Sequence, residues 1–218
     1  MDVHPEKIEE ILCAEAYPVP RYCRGFPVRS LSNSQFATIC PSVTPQGIAA
    51  LIRIPEGVCS SNPPGNPGRR IVLLESVQDP GNVGTIIRTA VAFGFSGMFL
   101  SGDSADPFSP KAVQASAGAV LNLWIRRHQQ VLASIDGLKK SGYRLYGTAL
   151  GGNGSVHFSD GIPLVIALGN EGAGLSPELL SMTDERFSIP MVDGAIESLN
   201  VAVAGAIALF AVFRGEGW

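Results

Sequence analysis

The chain has 218 residues, of which 45% are hydrophobic and 16% charged, and its formal net charge is -3. A chain of this length buries about 70% of its unfolded surface, which accommodates one α/β domain with a small appendage, and the composition excludes disorder. The mild acidity excludes non-specific electrostatic attraction as the main mode of binding RNA or DNA and leaves a shaped nucleic-acid site open.

The cysteines and the apolar stretches favour a protein of the reducing cytoplasm. All four cysteines lie between Cys13 and Cys59, and no pair has the close spacing of a zinc site. The first ten residues carry acidic side chains where a signal peptide has positive ones. The longest apolar stretch, Val201 to Phe213, is too short to span a bilayer. We expect free thiols, no metal and no membrane association.

The first sixty residues predict a small α/β segment. The pattern favours a helix from Pro5 to Ala16, a helix near Ser32 to Ile39 and a strand near Gly47 to Ile54. Through Arg70 there are seven basic and six acidic residues, against nine and thirteen afterwards. This local basic excess is compatible with an RNA-facing module and equally with an ordinary solvated surface.

A run rich in Pro, Gly, Asn and Ser at residues 61–69 is incompatible with helix or strand and predicts an interdomain linker. After it, β-branched runs alternate with helical stretches, which indicates a parallel α/β sheet. The candidate strands cover residues 71–74, 97–100, 144–148, 164–168 and 187–189. The candidate helices cover residues 83–93, 110–117, 130–141, 177–182 and 199–213.

The first segment with chemical interest follows the strand at residues 71–74. Asp79-Pro80-Gly81 has turn chemistry, and Asn82 is predicted to cap the next helix. At 100° per residue the apolar side chains of that helix form one stripe, and Arg88 lies about 130° from its centre. Arg88 therefore points away from the core, near the strand ends where open α/β sheets bind ligands. A surface arginine paired with an acid would give the same pattern.

The second segment is a buried strand that runs into three glycines within six residues, from Gly169 to Gly174. Ser176 and Pro177 then begin a short helix. Glycines here let a ligand approach the backbone closely. The spacing matches neither the GxGxxG loop nor the Gly-Lys-Ser/Thr loop. A glycine-rich turn with Glu171 on the surface is the alternative.

The third segment covers residues 187–204. Its strand leaves through Pro190 into a loop, and Ser198 or Asn200 begins the apolar C-terminal helix. The many alanines of that helix allow other backbone to pack closely, as at a subunit interface. A simple buried helix is the alternative.

Together the three segments resemble the SpoU (TrmH-like) branch of the SPOUT superfamily, which contains RNA ribose 2′-O-methyltransferases. The resemblance covers about residues 71–214. The motifs stand in the family's order as Asn82-x-Gly84-x-x-x-Arg88-x-Ala90, Gly169-Asn170-Glu171-Gly172-x-Gly174-Leu175, and Ile189-Pro190-Met191 with Ser198-Leu199-Asn200-Val201-Ala202.

The resemblance implies an α/β fold: a parallel-sheet SPOUT domain at residues 70–218 with a C-terminal trefoil knot, preceded by a short substrate-recognition segment at residues 1–60. It also implies S-adenosylmethionine as cofactor and a homodimer with the site near its interface. Residues 31–37 and 45–50 look like the end of the family's recognition module. Because fewer than seventy residues precede the SPOUT domain, that module is either reduced or incomplete.

The resemblance also implies which residues form the cofactor pocket. Most would bind through backbone groups, and apolar walls would exclude water. Methyl transfer from a sulfonium requires no metal. The matching positions are Thr148, Leu168, Gly169, Ile189, Met191, Ser198 and Leu199.

Four residues match the family's catalytic positions. Arg88 matches the family's arginine that is proposed to assist removal of the 2′-hydroxyl proton. The resemblance implies that this arginine acts on the site of the partner subunit. Because a guanidinium stays protonated above about pH 12, binding of a phosphate and stabilisation of an alkoxide are easier to derive than a general-base role. We expect Asn82 and Asn200 to orient Arg88 or the substrate. Glu171 is expected to hold Arg88 or to help close the pocket.

The implied substrate is RNA, with ribosomal RNA favoured over transfer RNA. A catalytically silent RNA-binding protein of the same fold is an alternative, although the arginine and the third motif are present. A Rossmann-type oxidoreductase would require a GxGxxG motif and an acid after its second strand, and neither is found.

Overall fold

The computed structural model describes residues 5–40, 45–153, 158, 161–192 and 196–215, in a chain that divides into the units Met1–Glu56 and Gly57–Trp218. In the first unit a central strand pairs in parallel with one neighbour and antiparallel with the other. In chain order its elements are β1 (Ile8–Ala14), β2 (Val28–Leu31), α1 (Asn33–Ile39) and β3 (Ile48–Ile52).

The predicted helix from Pro5 to Ala16 is wrong, because this stretch forms β1. Ile11 and Cys13 are buried at alternate positions, as expected for a strand with one covered face. β1 forms hydrogen-bonded ladders on both of its edges, and this tertiary pairing outweighs the local helical preference. The helix near residues 32–39 and the strand near residues 47–54 are confirmed by α1 and β3.

Within the described part of the second unit, six strands form an all-parallel sheet in the order β6-β5-β4-β8-β7-β9, which confirms the predicted parallel α/β fold. The strands are β4 (Arg70–Leu74), β5 (Gly97–Ser101), β6 (Trp124–His128), β7 (Arg144–Asn153), β8 (Leu164–Leu168) and β9 (Glu185–Phe187). β9 covers Glu185–Phe187, so it lies two residues earlier than the predicted strand at residues 187–189 and overlaps it at Phe187. β6 was not predicted, because Arg126 and Arg127 interrupt its apolar pattern.

The helices of the second unit cover the sheet on both faces and confirm the helix predictions to within three residues. They are α2 (Pro80–Ala92), α3 (Pro110–Ser116), α4 (Val131–Lys140), α5 (Pro177–Met182) and α6 (Val201–Arg214). Alternate side chains of β4 enter opposite cores: Val72 packs with residues of α2 and α6, and Leu73 packs with residues of α4 and α5. The sheet is thereby buried between two helical layers.

Residues 61–69, the predicted linker, lie within the second unit and are hydrogen-bonded to its sheet edge. Trp124 Nε1 donates to the Pro67 carbonyl over 2.9 Å, and Arg126 Nε donates to the Asn62 carbonyl over 2.9 Å. Ser134 Oγ donates to the carbonyl of Ser61 over 2.5 Å. The segment is thus fixed against the edge strand β6 and the helix α4 that follows it.

The predicted trefoil knot stays a prediction. Residues 193–195 of the third segment lie outside the described residues. In the described part of the chain, no helix is both long and apolar enough to cross a membrane.

Candidate active site

The three motif segments meet at the carboxyl edge of the parallel sheet. Residues 75–79 follow β4, residues 169–176 follow its neighbour β8, and residues 188–200 connect β9 to α6. Because carboxyl ends of parallel strands lie at one edge of a sheet, segments far apart in sequence converge there.

A pocket of about 580 Å³ lies at this edge. Its volume is within the range of about 300–1,000 Å³ that is usual for small-molecule sites. All seven residues predicted for cofactor binding line it, namely Thr148, Leu168, Gly169, Ile189, Met191, Ser198 and Leu199. Sequence reasoning missed other apolar lining residues, among them Leu175, Leu180, Val201 and Ala204.

The glycine loop, residues 169–174, forms one wall of the pocket and folds back on itself. Asn170 and Gly174 exchange two backbone hydrogen bonds of 3.0 Å each. A Cβ on Gly169 would lie 2.2 Å from the carbonyl carbon of Gly174 and 2.4 Å from the backbone nitrogen of Leu175. The close turn therefore requires glycine at position 169, whereas the sequence predicted glycine here for the approach of a ligand.

A chain of side-chain amides joins the three motif segments. Asn82 Nδ2 donates to Glu171 Oε1 over 2.8 Å, and Asn200 Nδ2 donates to Asn82 Oδ1 over 3.1 Å. Asn200 Oδ1 accepts from Ala202 N over 2.9 Å and so caps α6. Three of the four predicted catalytic residues are thus brought together at the pocket, which Glu171 lines.

The predicted capping role of Asn82 is wrong. The N-cap of α2 is Asp79, whose Oδ1 accepts from Gly81 N, and Pro80 occupies the first helical position. The Asp-Pro pair begins the helix three residues earlier than predicted, which releases the Asn82 amide for the contacts above. Lys111 Nζ donates to Asp79 Oδ1 over 2.9 Å and lowers the pKa of that carboxyl.

Arg88 is exposed on α2, as the helical pattern predicts. It is not among the described residues that line the pocket, and within the described ranges it has no hydrogen bond or ion pair. The expected contact between Glu171 and Arg88 is not made within one chain, since Glu171 accepts from Asn82 instead. Glu171 lines the pocket, and its expected role in closing the pocket stays a prediction.

α6 presents an exposed apolar face next to α2. Val203, Phe210 and Phe213 are each about half exposed, at 49%, 48% and 50%. The ring of Phe93, at the end of α2, lies 5.5 Å from each of the two phenylalanine rings, centroid to centroid. This face, defined as Val203, Phe210 and Phe213, lies on the helix that Asn200 begins.

Among the residues that the structure describes, no group of three or more His, Cys, Asp or Glu side chains could hold a metal ion.

Sequence reasoning also missed Glu75, which accepts two hydrogen bonds from Ser176. Its position directly after a buried strand was the available signal.

Comparison with known proteins agrees with this geometry. The model of the SpoU rRNA Methylase family matches residues 69–210. The 23S rRNA (guanosine(2553)-2'-O)-methyltransferase RlmP of Bacillus subtilis is 36% identical over 211 residues, which cover 94% of this chain and 81% of that protein.

Solved structures give the same result. An AdoMet-bound rRNA methyltransferase from Sinorhizobium meliloti superposes with a TM-score of 0.79 at 32% identity, covering 95% of this chain and 80% of the other. The SpoU methyltransferase AviRb from Streptomyces viridochromogenes, in complex with AdoMet, superposes with a TM-score of 0.77 at 26% identity, covering 95% and 82%.

Proposed function

The chain belongs to the SpoU rRNA methylase family, and we propose that it transfers a methyl group from S-adenosylmethionine to the 2′-hydroxyl of a ribose in RNA. One observation carries the proposal: three segments, spanning 118 positions between Asn82 and Asn200, meet around a pocket lined by all seven expected cofactor residues. Two similar structures, from Sinorhizobium and Streptomyces, were solved with this cofactor bound.

The residues of the pocket fit S-adenosylmethionine. Leu168, Ile189 and Leu199 offer apolar walls to an adenine ring, and the glycine loop offers backbone free of side chains. The bound cofactor would supply an electrophilic methyl group on a sulfonium. The protein has to exclude water, align the ribose oxygen with that methyl group and favour loss of its proton.

We assign the electrostatic part of this task to Arg88. A guanidinium binds phosphate through paired N–H donors, and it stabilises an alkoxide without losing its own proton. Its exposure and lack of a partner among the described residues leave these donors available for RNA. Asn82 and Asn200 hold the edges of the site together, and their contact supports a role in orienting the substrate.

We further propose that the active form is a homodimer in which Arg88 serves the pocket of the partner. Arg88 and the pocket do not meet in one chain, and the exposed apolar face of α6 lies beside α2. A second copy packed on this face would bury the two phenylalanines and bring its own Arg88 near the pocket.

Ribosomal RNA is the proposed substrate class. Support comes from the Bacillus relative, which is named as a 23S rRNA methyltransferase and is similar over most of both chains. To test this, the purified protein is incubated with methyl-labelled S-adenosylmethionine and with either ribosomal or transfer RNA. The RNA is taken from cells that lack the gene, so that the target ribose is unmethylated. Ribose 2′-O-methylation of ribosomal RNA is expected. Labelling of transfer RNA alone would overturn the substrate class, and labelling of neither would overturn the enzyme proposal.

Subunit complementation tests the dimer. Arg88→Ala and Gly169→Leu should each be inactive, but co-expressed chains should recover about a quarter of wild-type activity, since half of randomly mixed dimers contain one intact site of two. Recovery would fail if Arg88 served the pocket of its own chain. Sedimentation of the wild type should show a particle of two chains.

A further inference from the structure

The glycine loop cannot fix its own position relative to the sheet. Asn170 Oδ1 accepts from Gly172 N over 2.9 Å and from Ala173 N over 3.1 Å. These bonds define the conformation of the loop but do not connect it to the sheet. With three glycines, the loop has few side chains that could pack against its surroundings. The loop must therefore be held by neighbouring segments.

Glu75 and Ser76, directly after β4, bind the glycine loop and the residues on both sides of it. Before the loop, Glu75 N donates to the Leu168 carbonyl over 2.9 Å. Within the loop, Asn170 Nδ2 donates to the Ser76 carbonyl over 2.9 Å. After the loop, the two carboxylate oxygens of Glu75 accept from Ser176 N and from Ser176 Oγ, each over 2.7 Å.

Ser76 is itself bound to the end of β5 and to the turn that follows it. Ser76 has a φ of 57°, a left-handed conformation that a non-glycine residue adopts only when its surroundings enforce it. Its backbone N donates to Ser101 Oγ over 2.8 Å, and its Oγ donates to Asp103 Oδ2. The segment is thus a rigid support for the loop.

We propose that Glu75 is a positioning residue of the cofactor pocket. Glu75 is not among the described residues that line the pocket. Leu175 lines the pocket, and it directly precedes Ser176, which Glu75 binds. By accepting from both the backbone and the hydroxyl of Ser176, the Glu75 carboxylate fixes the chain where it leaves the glycine loop. It thereby sets the affinity for S-adenosylmethionine without touching it, an inference that rests on the proposed function.

The test is Glu75→Gln, which keeps the shape of the side chain but replaces one of the two acceptors by a donor. Hydrogen bonds to a charged group are the stronger ones, so the Kd for S-adenosylmethionine, measured by calorimetry, should rise about tenfold. The KM for the cofactor should rise in parallel, while kcat at saturating cofactor should stay within about twofold, because the reacting groups are unchanged.

Glu178→Gln is the matched control, because it removes one exposed negative charge from the first turn of the same helix, α5. It should leave the Kd unchanged. Ser176→Ala should weaken binding in the same direction, and the combined variant should show less than the product of the two single fold-changes, since both remove one contact.

A wild type that fails to bind S-adenosylmethionine would overturn the proposed function itself. A wild type that binds, together with a Glu75→Gln variant that binds equally well, would overturn only the role of Glu75. The melting temperature of each variant is measured as well, so that cofactor binding is compared only among folded proteins. A Glu75→Gln loss of kcat with an unchanged KM would also contradict a positioning role.

Discussion

Asn82 and Glu171 are joined by a hydrogen bond of 2.8 Å between Nδ2 and Oε1, although 89 positions separate them in the chain. The bond links the first turn of α2 to the glycine loop, and Asn82 Oδ1 at the same time accepts from Asn200. One amide therefore uses its donor nitrogen and its acceptor oxygen to hold three segments around the pocket, and a carboxylate at this position could not donate.

Asn82→Asp should disrupt this arrangement. The variant loses the donor toward Glu171 and places two carboxylates against each other, so kcat/KM should fall about tenfold or more. The double variant Asn82→Asp with Glu171→Gln restores a donor opposite an acceptor and should recover part of the loss. Methyl-transfer kinetics at limiting RNA measure both. Equal activity of the single variant and the wild type would show that this contact is unimportant.

Arg88→Ala should lower the rate of methyl transfer by a factor of about 10²–10³ while leaving cofactor binding intact. Loss of one preorganised charge-stabilising donor in an active site costs about 10²–10³ in kcat. Arg69→Ala is the control, because Arg69 is also exposed in this unit but lies at the amino end of β4, opposite the site. Calorimetry with S-adenosylmethionine and labelled-methyl transfer to RNA separate the two effects. An Arg88→Ala variant that methylates at the wild-type rate would remove Arg88 from the mechanism.

Local signals were sufficient for much of the fold. The strands β4 and β8 are short apolar runs buried along nearly their whole length, and Ser176 with Pro177 marks the start of α5 by its capping chemistry. The three glycines indicated a loop that a ligand can approach closely, whereas the residues of the third segment were selected for the pocket by the family resemblance alone.

Contacts between distant positions explain what was missed. β6 is a strand despite Arg126 and Arg127, because it pairs with β5 along its length while both guanidinium groups donate to backbone carbonyls. No local pattern reveals these contacts. The pairing of Glu75 with Ser176 spans 101 positions. The prediction that Asn82 caps α2 was wrong because Asp79, three residues earlier, has the same capping chemistry. Asp79 is the N-cap, with Pro80 at the first helical position and Lys111 from α3 bound to its carboxylate.

Gly169→Ala should prevent cofactor binding. The added Cβ would meet backbone atoms of Gly174 and Leu175 at 2.2–2.4 Å, so the loop has to move away from its present path. Gly137→Ala in α4 is the control, because an added Cβ would meet no described atom within 4 Å outside its chain neighbours and the backbone of its own helix. That variant should raise the unfolding free energy by about 0.5–1 kcal/mol, as alanine is the better helix former. Normal titration of Gly169→Ala with S-adenosylmethionine would contradict the pocket assignment.

His128 should make the second unit less stable in mild acid. Ser134 Oγ donates to the Ser61 carbonyl, so His128 Nε2 is the donor in its 3.2 Å contact with Ser134. The buried Nδ1 has no partner among the described residues, and burial lowers the pKa of His128 below its ordinary value of 6.5. Protonation would place an N–H at Nδ1 without an acceptor.

The sign of the effect follows from the lowered pKa. Above pH 6.5 the imidazole is neutral in both states, whereas below it the unfolded chain takes up the proton first. Stability is therefore lost as the pH falls from 6.5 toward the folded-state pKa, by at most about 1.4 kcal/mol per pH unit. Melting curves between pH 7.5 and 5 should show a smaller decrease for His128→Gln, which cannot titrate, than for the wild type. Parallel decreases in the two proteins would mean that His128 does not set the acid response.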